Sequence, residues 1–169
     1  MSTFDDEKRM QPFMDAFYRV RGWTIDRTNA CRHFDCEIAQ NGSSLKVEEK
    51  YLFSDPYSQG LIEIIQDLRT ADLGWFYHTK CDLLFWVHCP SDRVSPPKTV
   101  FIINWPKTKA LILDQMEAQK WQDYNHCPQH YGLTLNYPLK WDGLISQGLV
   151  KRFELTWDHN ELYIEAHER

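Results

Sequence analysis

The chain has 169 residues, which is within the usual size of one folded domain. Its hydrophobic fraction of 43% and its charged fraction of 25%, mixed in sign, are those of a globular protein and exclude a disordered chain. The net charge of -5 excludes binding to polyanions through overall positive charge, so any nucleic-acid surface must be a local patch.

The N-terminal segment, MSTFDDEKRM, is acidic and polar, whereas a signal peptide is basic and then apolar. No apolar run approaches the roughly 20 residues of a membrane span. We therefore expect one domain over residues 1–169, in the cytoplasm and without membrane contact.

An amphipathic helix is predicted in PFMDAFYRVRG. Phe13, Phe17 and Val20 recur at helical spacing. Pro12 suits the first turn of such a helix, and Gly22 suits its C-terminal end. We therefore expect the helix to begin near Pro12.

A β-hairpin is predicted after this helix. The segment WTIDR predicts a short strand and HFDCEI a second. Asn41 and Gly42 form the dipeptide most typical of a tight hairpin turn, and LKVEEKY follows as the returning strand.

Three short apolar runs then predict central strands: LIEIIQD, DLLFWVH and TVFIINW, at 61–67, 82–88 and 99–105. The segment between the first two is compatible with a helical turn or with an irregular crossing. A helix is predicted from Lys107, and the chain closes with a predicted hairpin of KRFELTW and ELYIEAH. The elements together predict a mixed α/β fold.

Charged side chains gather on the predicted hairpin. Period-two alternation places Lys46, Glu48 and Lys50 on one face of the strand. Asp35 lies on the preceding strand, so the turn can bring its carboxylate across from Glu48. Two acids and one amine would then converge, which indicates a metal site with a cationic neighbour.

Such a site suits the hydrolysis of a phosphodiester. Mg²⁺ held by carboxylates orients water and offsets charge on the phosphate oxygens, and Mn²⁺ can substitute for it. A lysine beside the metal can position or help deprotonate the attacking water, or stabilise the charged transition state. Lys50 is the candidate for this role, and Lys46 is the candidate for contact with a phosphate.

Asp35 followed by Glu48, Glu49 and Lys50 on a hairpin after an N-terminal helix resembles the PD-(D/E)xK nuclease superfamily. The resemblance covers roughly residues 10–105. It implies a restriction-endonuclease-like fold, in which a mixed central sheet is flanked by helices. It also implies that Asp35 and Glu48 are the metal-binding acids and Lys50 the catalytic lysine.

Other acids are weaker candidates. Glu63, between two isoleucines, is expected either to face the active centre or to lie outward on a half-exposed strand. Glu49 stands where the family often has an apolar or small residue, and is either at an edge position or an extra acid. The family often supplies an acid from its first helix; Glu7, Gln11 and Asp15 lie in that region, and this ligand is left unassigned. Asp82 is expected to cap a turn before its strand.

The leading hypothesis is a Mg²⁺-dependent endonuclease, with DNA favoured over RNA by the resemblance alone. Nucleases of this fold often pair, so a homodimer is one expectation. One alternative is a catalytically inactive nuclease-like fold that binds nucleic acid or a protein partner. Another is a small α/β protein unrelated to nucleases, whose tryptophans serve protein association.

Overall fold

A computed structural model describes residues 4–53, 59–118, 125–129, 132–159 and 161–165. The chain has the mixed α/β architecture that the sequence predicts, but its strands form two sheets where one central sheet was expected. No helix among the described residues is long and apolar enough to cross a membrane.

The larger sheet is mixed. Its strands, in sheet order, are β1 (Thr24–Asp26), β2 (Cys36–Gln40), β3 (Ser43–Phe53), β6 (Leu83–Cys89), β7 (Thr99–Asn104), β10 (Val150–Asp158) and β11 (Glu161–Glu165). Strands β3 and β6 are parallel, with Val47 beside Leu83 and Lys50 beside Trp86, and the other neighbours are antiparallel. The β2–β3 hairpin turns at Asn41 and Gly42, which both have positive φ, as an Asn-Gly turn requires.

The smaller sheet is antiparallel. Its strands, in sheet order, are β5 (Asp72–Leu73), β4 (Gln59–Asp67), β9 (Gly132–Lys140) and β8 (Asn125–Gln129). The prediction of a strand in LIEIIQD is confirmed, but its place in the central sheet is wrong. Strand β4 pairs with β5 and β9, whereas DLLFWVH and TVFIINW do lie in the larger sheet as β6 and β7. An apolar run alone does not specify which sheet it joins.

Four helices accompany the sheets in the described ranges: α1 (Phe4–Val20), α2 (Trp75–His78), α3 (Trp105–Glu117) and α4 (Trp141–Ser146). The ambiguous segment before β6 thus contains the short strand β5 and one helical turn. The predicted helix after Pro106 is confirmed, and Asn104 caps it by accepting from the Lys107 N–H at 3.3 Å. The predicted C-terminal hairpin is confirmed as β10 and β11.

The first helix is longer than the sequence predicts. Pro12 is exposed and lies inside α1, not in its first turn. A proline there removes one backbone hydrogen bond. The helix continues because Met10, Met14 and Phe17 are completely buried against the larger sheet. Its predicted C-terminal end is confirmed, since Gly22 follows with φ of 73°.

The larger sheet separates two cores. On one face α1 packs against Val47, Tyr51 and Phe85. On the other face the smaller sheet, α3 and α4 pack against Leu84, Trp86 and other buried side chains. Successive residues of β3 therefore alternate between a helix-covered face and a face covered by the smaller sheet.

Candidate active site on the β2–β3 hairpin

The structure brings Asp35, Glu48 and Lys50 together. Cys36 pairs with Val47 in the β2–β3 register, so Asp35, one residue before β2, lies opposite Glu48. Alternation along β3 places Glu48 and Lys50 on the face that the smaller sheet covers. Lys50 Nζ forms an ion pair with Glu48 Oε1. The predicted convergence of two acids and one amine is the arrangement found.

Backbone contacts fix the Asp35 carboxylate. The Asp35 N–H donates to the Val47 carbonyl at 2.8 Å, and Asp35 Oδ2 accepts from the Glu49 N–H at 2.7 Å. Burial and the neighbouring Glu48 charge raise the pKa of Asp35 to about 7, although the Glu49 N–H and Lys50 act in the opposite direction. The two carboxylates therefore repel each other within a poorly solvated site.

The same carboxylates also act on Lys50, where a raised pKa favours the charged form. Burial on its own would lower the pKa of Lys50, but Glu48, Asp35 and the more distant Glu7 raise it overall. Lys50 is thus held as an ammonium. Of the acids considered on the first helix, Glu7 is the one whose charge acts on this lysine, whereas Asp15 pairs with Arg27 at 2.8 Å.

An indole lies over the lysine. Lys50 Nζ is 5.1 Å from the centroid of a Trp75 ring, a distance typical of a cation–π contact. Trp75 also donates its backbone N–H to Glu63, whose pKa is raised by burial and lowered in part by that bond and by Lys50. The half-buried Glu63 therefore lies within electrostatic reach of the site.

Gly74 makes this placement of Trp75 possible. Its N–H donates to the Ile64 carbonyl at 2.8 Å. A Cβ at this position would lie 2.2 Å from the Glu63 carbonyl oxygen, which is far too close for any side chain. Glycine is therefore required where α2 begins.

Glu49 points to the other face of β3. Its carboxylate accepts from Tyr18 Oη at 2.6 Å, from Tyr51 Oη at 2.7 Å and from Arg27 at 3.0 and 3.1 Å. It is 4% exposed. Both oxygens are thus satisfied by protein donors beneath α1, and its side chain lies on the opposite face from Glu48 and Lys50. Its backbone N–H, however, holds Asp35.

The start of β6 completes the surroundings of Glu48. The Asp82 N–H donates to the Lys46 carbonyl at 2.8 Å, and Asp82 Oδ2 accepts from the Lys46 N–H at 2.8 Å. These two bonds tie the start of β6 to β3, so the structural role of Asp82 lies between strands and not in the turn cap that was expected. The adjacent Cys81 accepts from the Glu48 N–H, and burial together with the Glu48 charge raises its pKa, so its thiol stays neutral. Lys46 is exposed on β3, the strand that carries Glu48.

The donor set fits a hard divalent cation. The Glu48 charge raises the pKa of Asp35, and a cation between the two carboxylates would offset this repulsion. Among the described residues, no three His, Cys, Asp or Glu side chains converge as a metal cage. Mg²⁺ commonly binds through only one or two carboxylates, keeping several waters and adding substrate phosphates, so two acids are sufficient.

Sequence reasoning missed Trp75 and Cys81 as neighbours of this site. Both come from segments more than 20 residues away from Lys50 in the chain. Their positions depend on the pairing of β6 with β3 and on the close approach at Gly74, which no local pattern encodes.

No protein-family model matches the sequence. No curated protein matches it at a significant level.

Proposed function

We propose that this protein is a metal-dependent nuclease of the PD-(D/E)xK type with a restriction-endonuclease-like fold. Its proposed substrate is a nucleic acid, with DNA favoured over RNA. The observation that carries the proposal is the placement of Asp35, Glu48 and Lys50 on one face of the β2–β3 hairpin. The mixed sheet with a helix ahead of the hairpin also supports the proposal.

Asp35 and Glu48 would hold Mg²⁺ or Mn²⁺. When bound, the ion would polarise a phosphate oxygen and lower the pKa of a coordinated water. Lys50 contributes a fixed positive charge beside these acids. Its ion pair with Glu48 favours the ammonium form, so its role is to orient water and to stabilise charge developing on the phosphate, not to remove a proton.

A nuclease-like fold that binds nucleic acid without cutting it is the second candidate. The observation in its favour is that the described residues bring only two carboxylates into direct proximity at the hairpin. Cleavage assays separate the two candidates, because both predict binding and only one predicts hydrolysis.

The test is cleavage of supercoiled plasmid and of short labelled duplexes in millimolar Mg²⁺ or Mn²⁺. We expect Lys50→Ala to lower the rate by about two to four orders of magnitude, as for loss of a positioned catalytic group. Lys98→Ala is the matched control, because Lys98 is an exposed lysine at the far end of β6, where its N–H donates to the His88 carbonyl.

Cleavage by the wild type and by Lys98→Ala, with Lys50→Ala nearly inactive, supports the proposal. Undiminished activity in Lys50→Ala removes this lysine from the mechanism. If the wild type binds DNA but cuts no form of it with either metal, the binding-only candidate replaces the nuclease.

A further inference from the structure

Basic side chains gather on two loops beside the site. Arg32 donates to His78 Nδ1 at 2.7 Å, and His33 Nδ1 donates to the His78 carbonyl at 2.6 Å. The Lys80 N–H donates to the His33 carbonyl at 3.0 Å. These bonds tie the loop at residues 31–34 to the loop at 78–82. We call Arg32, His33, Lys46, His78 and Lys80 the basic rim.

The basic rim adjoins the candidate catalytic groups. Its first loop leads directly into Asp35, and its second loop leads into Cys81, which accepts from the Glu48 N–H. Lys46 lies two residues before Glu48, on the same face of β3. A phosphate chain passing over the rim would therefore reach the two carboxylates.

The permanent charges of the rim are available to a ligand. Arg32, Lys46 and Lys80 are exposed, and none forms an ion pair with a carboxylate in the part of the chain that the structure describes. Arg27 and Arg152, in contrast, are paired with glutamates. In a chain with a net charge of -5, three such cations beside one site form the local patch that a polyanion requires.

The chemistry of the rim favours a duplex over a single strand. Single-stranded nucleic acids are bound by stacking bases on accessible aromatic rings. Among the described Phe, Tyr and Trp residues, Phe4 at the start of α1 is the one that is mostly exposed, whereas Trp75 and Tyr77 near the site are half-buried. Phe34, in the first of the two loops, is buried, and Lys46 Nζ lies 5.1 Å from its ring centroid. The rim thus offers exposed cations for phosphates, while no mostly exposed aromatic ring lies among its residues.

We propose that the basic rim binds the phosphate backbone of a double-stranded nucleic acid and places the bond to be cut over Asp35 and Glu48. This inference rests on the proposed function and specifies its substrate as a duplex bound through phosphates, not bases.

The test measures binding by fluorescence anisotropy, with a labelled 30-base-pair DNA duplex and its single strand, across a range of salt concentrations in Mg²⁺. The Lys50→Ala chain serves as the slow-cleaving background. To it are added Arg32→Ala with Lys80→Ala or, as a control of equal charge change, Arg19→Ala with Lys98→Ala. Arg19 and Lys98 are exposed and lie outside the rim.

We expect the duplex to bind more tightly than the single strand. The rim variant should weaken duplex binding about tenfold and lower the slope of log affinity against log salt by about 2, because each of the two removed cations neutralises one phosphate. The control should stay within about twofold, because net charge alone changes binding little at moderate salt.

Equal losses in the rim variant and the control would overturn the inference, and so would tighter binding of the single strand or no binding at all. Cleavage by the wild-type chain is assayed in parallel. A wild type that cuts DNA while the rim variant keeps normal affinity overturns the rim alone. A wild type that binds through the rim but never cuts overturns the nuclease alone.

Discussion

Glu48 and Glu49 are neighbours in the sequence and have opposite environments. Glu49 faces α1, where two tyrosines and Arg27 donate to both of its oxygens. Glu48 faces the smaller sheet, where one lysine pairs with it and a second carboxylate, Asp35, repels it. Both side chains are almost fully buried, since Glu49 is 4% exposed and Glu48 is 6% exposed.

The difference separates a structural acid from a candidate functional one. A buried carboxylate with a full set of protein donors is satisfied in the folded state and has no need of a ligand. A buried pair of carboxylates with one shared cation is left with excess negative charge. The helix-covered face therefore serves stability, and the opposite face is the one proposed to bind metal.

The largest expected effect tests this assignment by neutralising each glutamate in turn. Glu49→Gln should lower the free energy of unfolding by about 3 kcal/mol, because it leaves the Arg27 charge and two tyrosine hydroxyls poorly matched in a buried site. Glu48→Gln should change it by less than about 1 kcal/mol, since it also relieves the repulsion with Asp35.

Urea unfolding in EDTA, followed by circular dichroism, measures both variants. The two substitutions are chemically identical and one residue apart, so each is the control for the other. Equal destabilisation would show that the two faces do not differ as the hydrogen bonds indicate.

A smaller effect concerns His88, a polar residue on the same face as Glu48. His88 is 1% exposed, neither ring nitrogen has a hydrogen-bond partner among the described residues, and its ring meets Phe101 edge to face. Burial, and then the Arg152 charge, lower its pKa to about 4, with Glu154 acting weakly against them. The folded state therefore excludes a proton that the unfolded chain takes up near pH 6.5.

Stability must consequently fall as the pH drops from about 6.5 towards 4. The loss attributable to His88 should reach about 2 kcal/mol at about pH 5 relative to pH 7. His88→Leu removes the titration and should be at least as stable as the wild type at about pH 7, because two buried polar atoms are replaced by an apolar side chain.

The measurement is the difference between the two unfolding free energies at pH 7, 6 and 5, which cancels the titration of other groups. His159→Gln serves as the control, because the His159 side chain is 97% exposed and should leave the profile unchanged. A constant difference between wild type and His88→Leu at all three pH values would refute this account of His88.

Much of the site could be predicted from the sequence because its residues lie on one hairpin. Asn41 and Gly42 fix the turn, and alternation then determines which face Glu48 and Lys50 share. Asp35 needed only the register of that hairpin. These relations are local, so the alternation of side chains along a strand and the turn residues are enough to predict them.

The remainder depends on contacts between distant segments. The environment of Glu49 is set by Tyr18 from helix α1 and by Arg27 from the loop after β1. Pro12 is tolerated inside α1 because buried side chains on either side of it hold the helix to the sheet. The placement of β4 in the smaller sheet is likewise a tertiary outcome, and its apolar run fits either sheet equally well.

Binding of Mn²⁺ to the apo protein tests the central claim most directly. Calorimetric titration and thermal melting, with and without millimolar Mn²⁺, compare the wild type with Asp35→Asn. Glu37→Gln is the control, because Glu37 is an acid two residues after Asp35, in β2. We predict a bound ion in the wild type and in Glu37→Gln, with about 2.7 kcal/mol of stabilisation at a hundredfold excess over the dissociation constant. Asp35→Asn should lose both. If all three proteins melt identically with and without Mn²⁺ and none binds the ion, Asp35 and Glu48 are not a metal site.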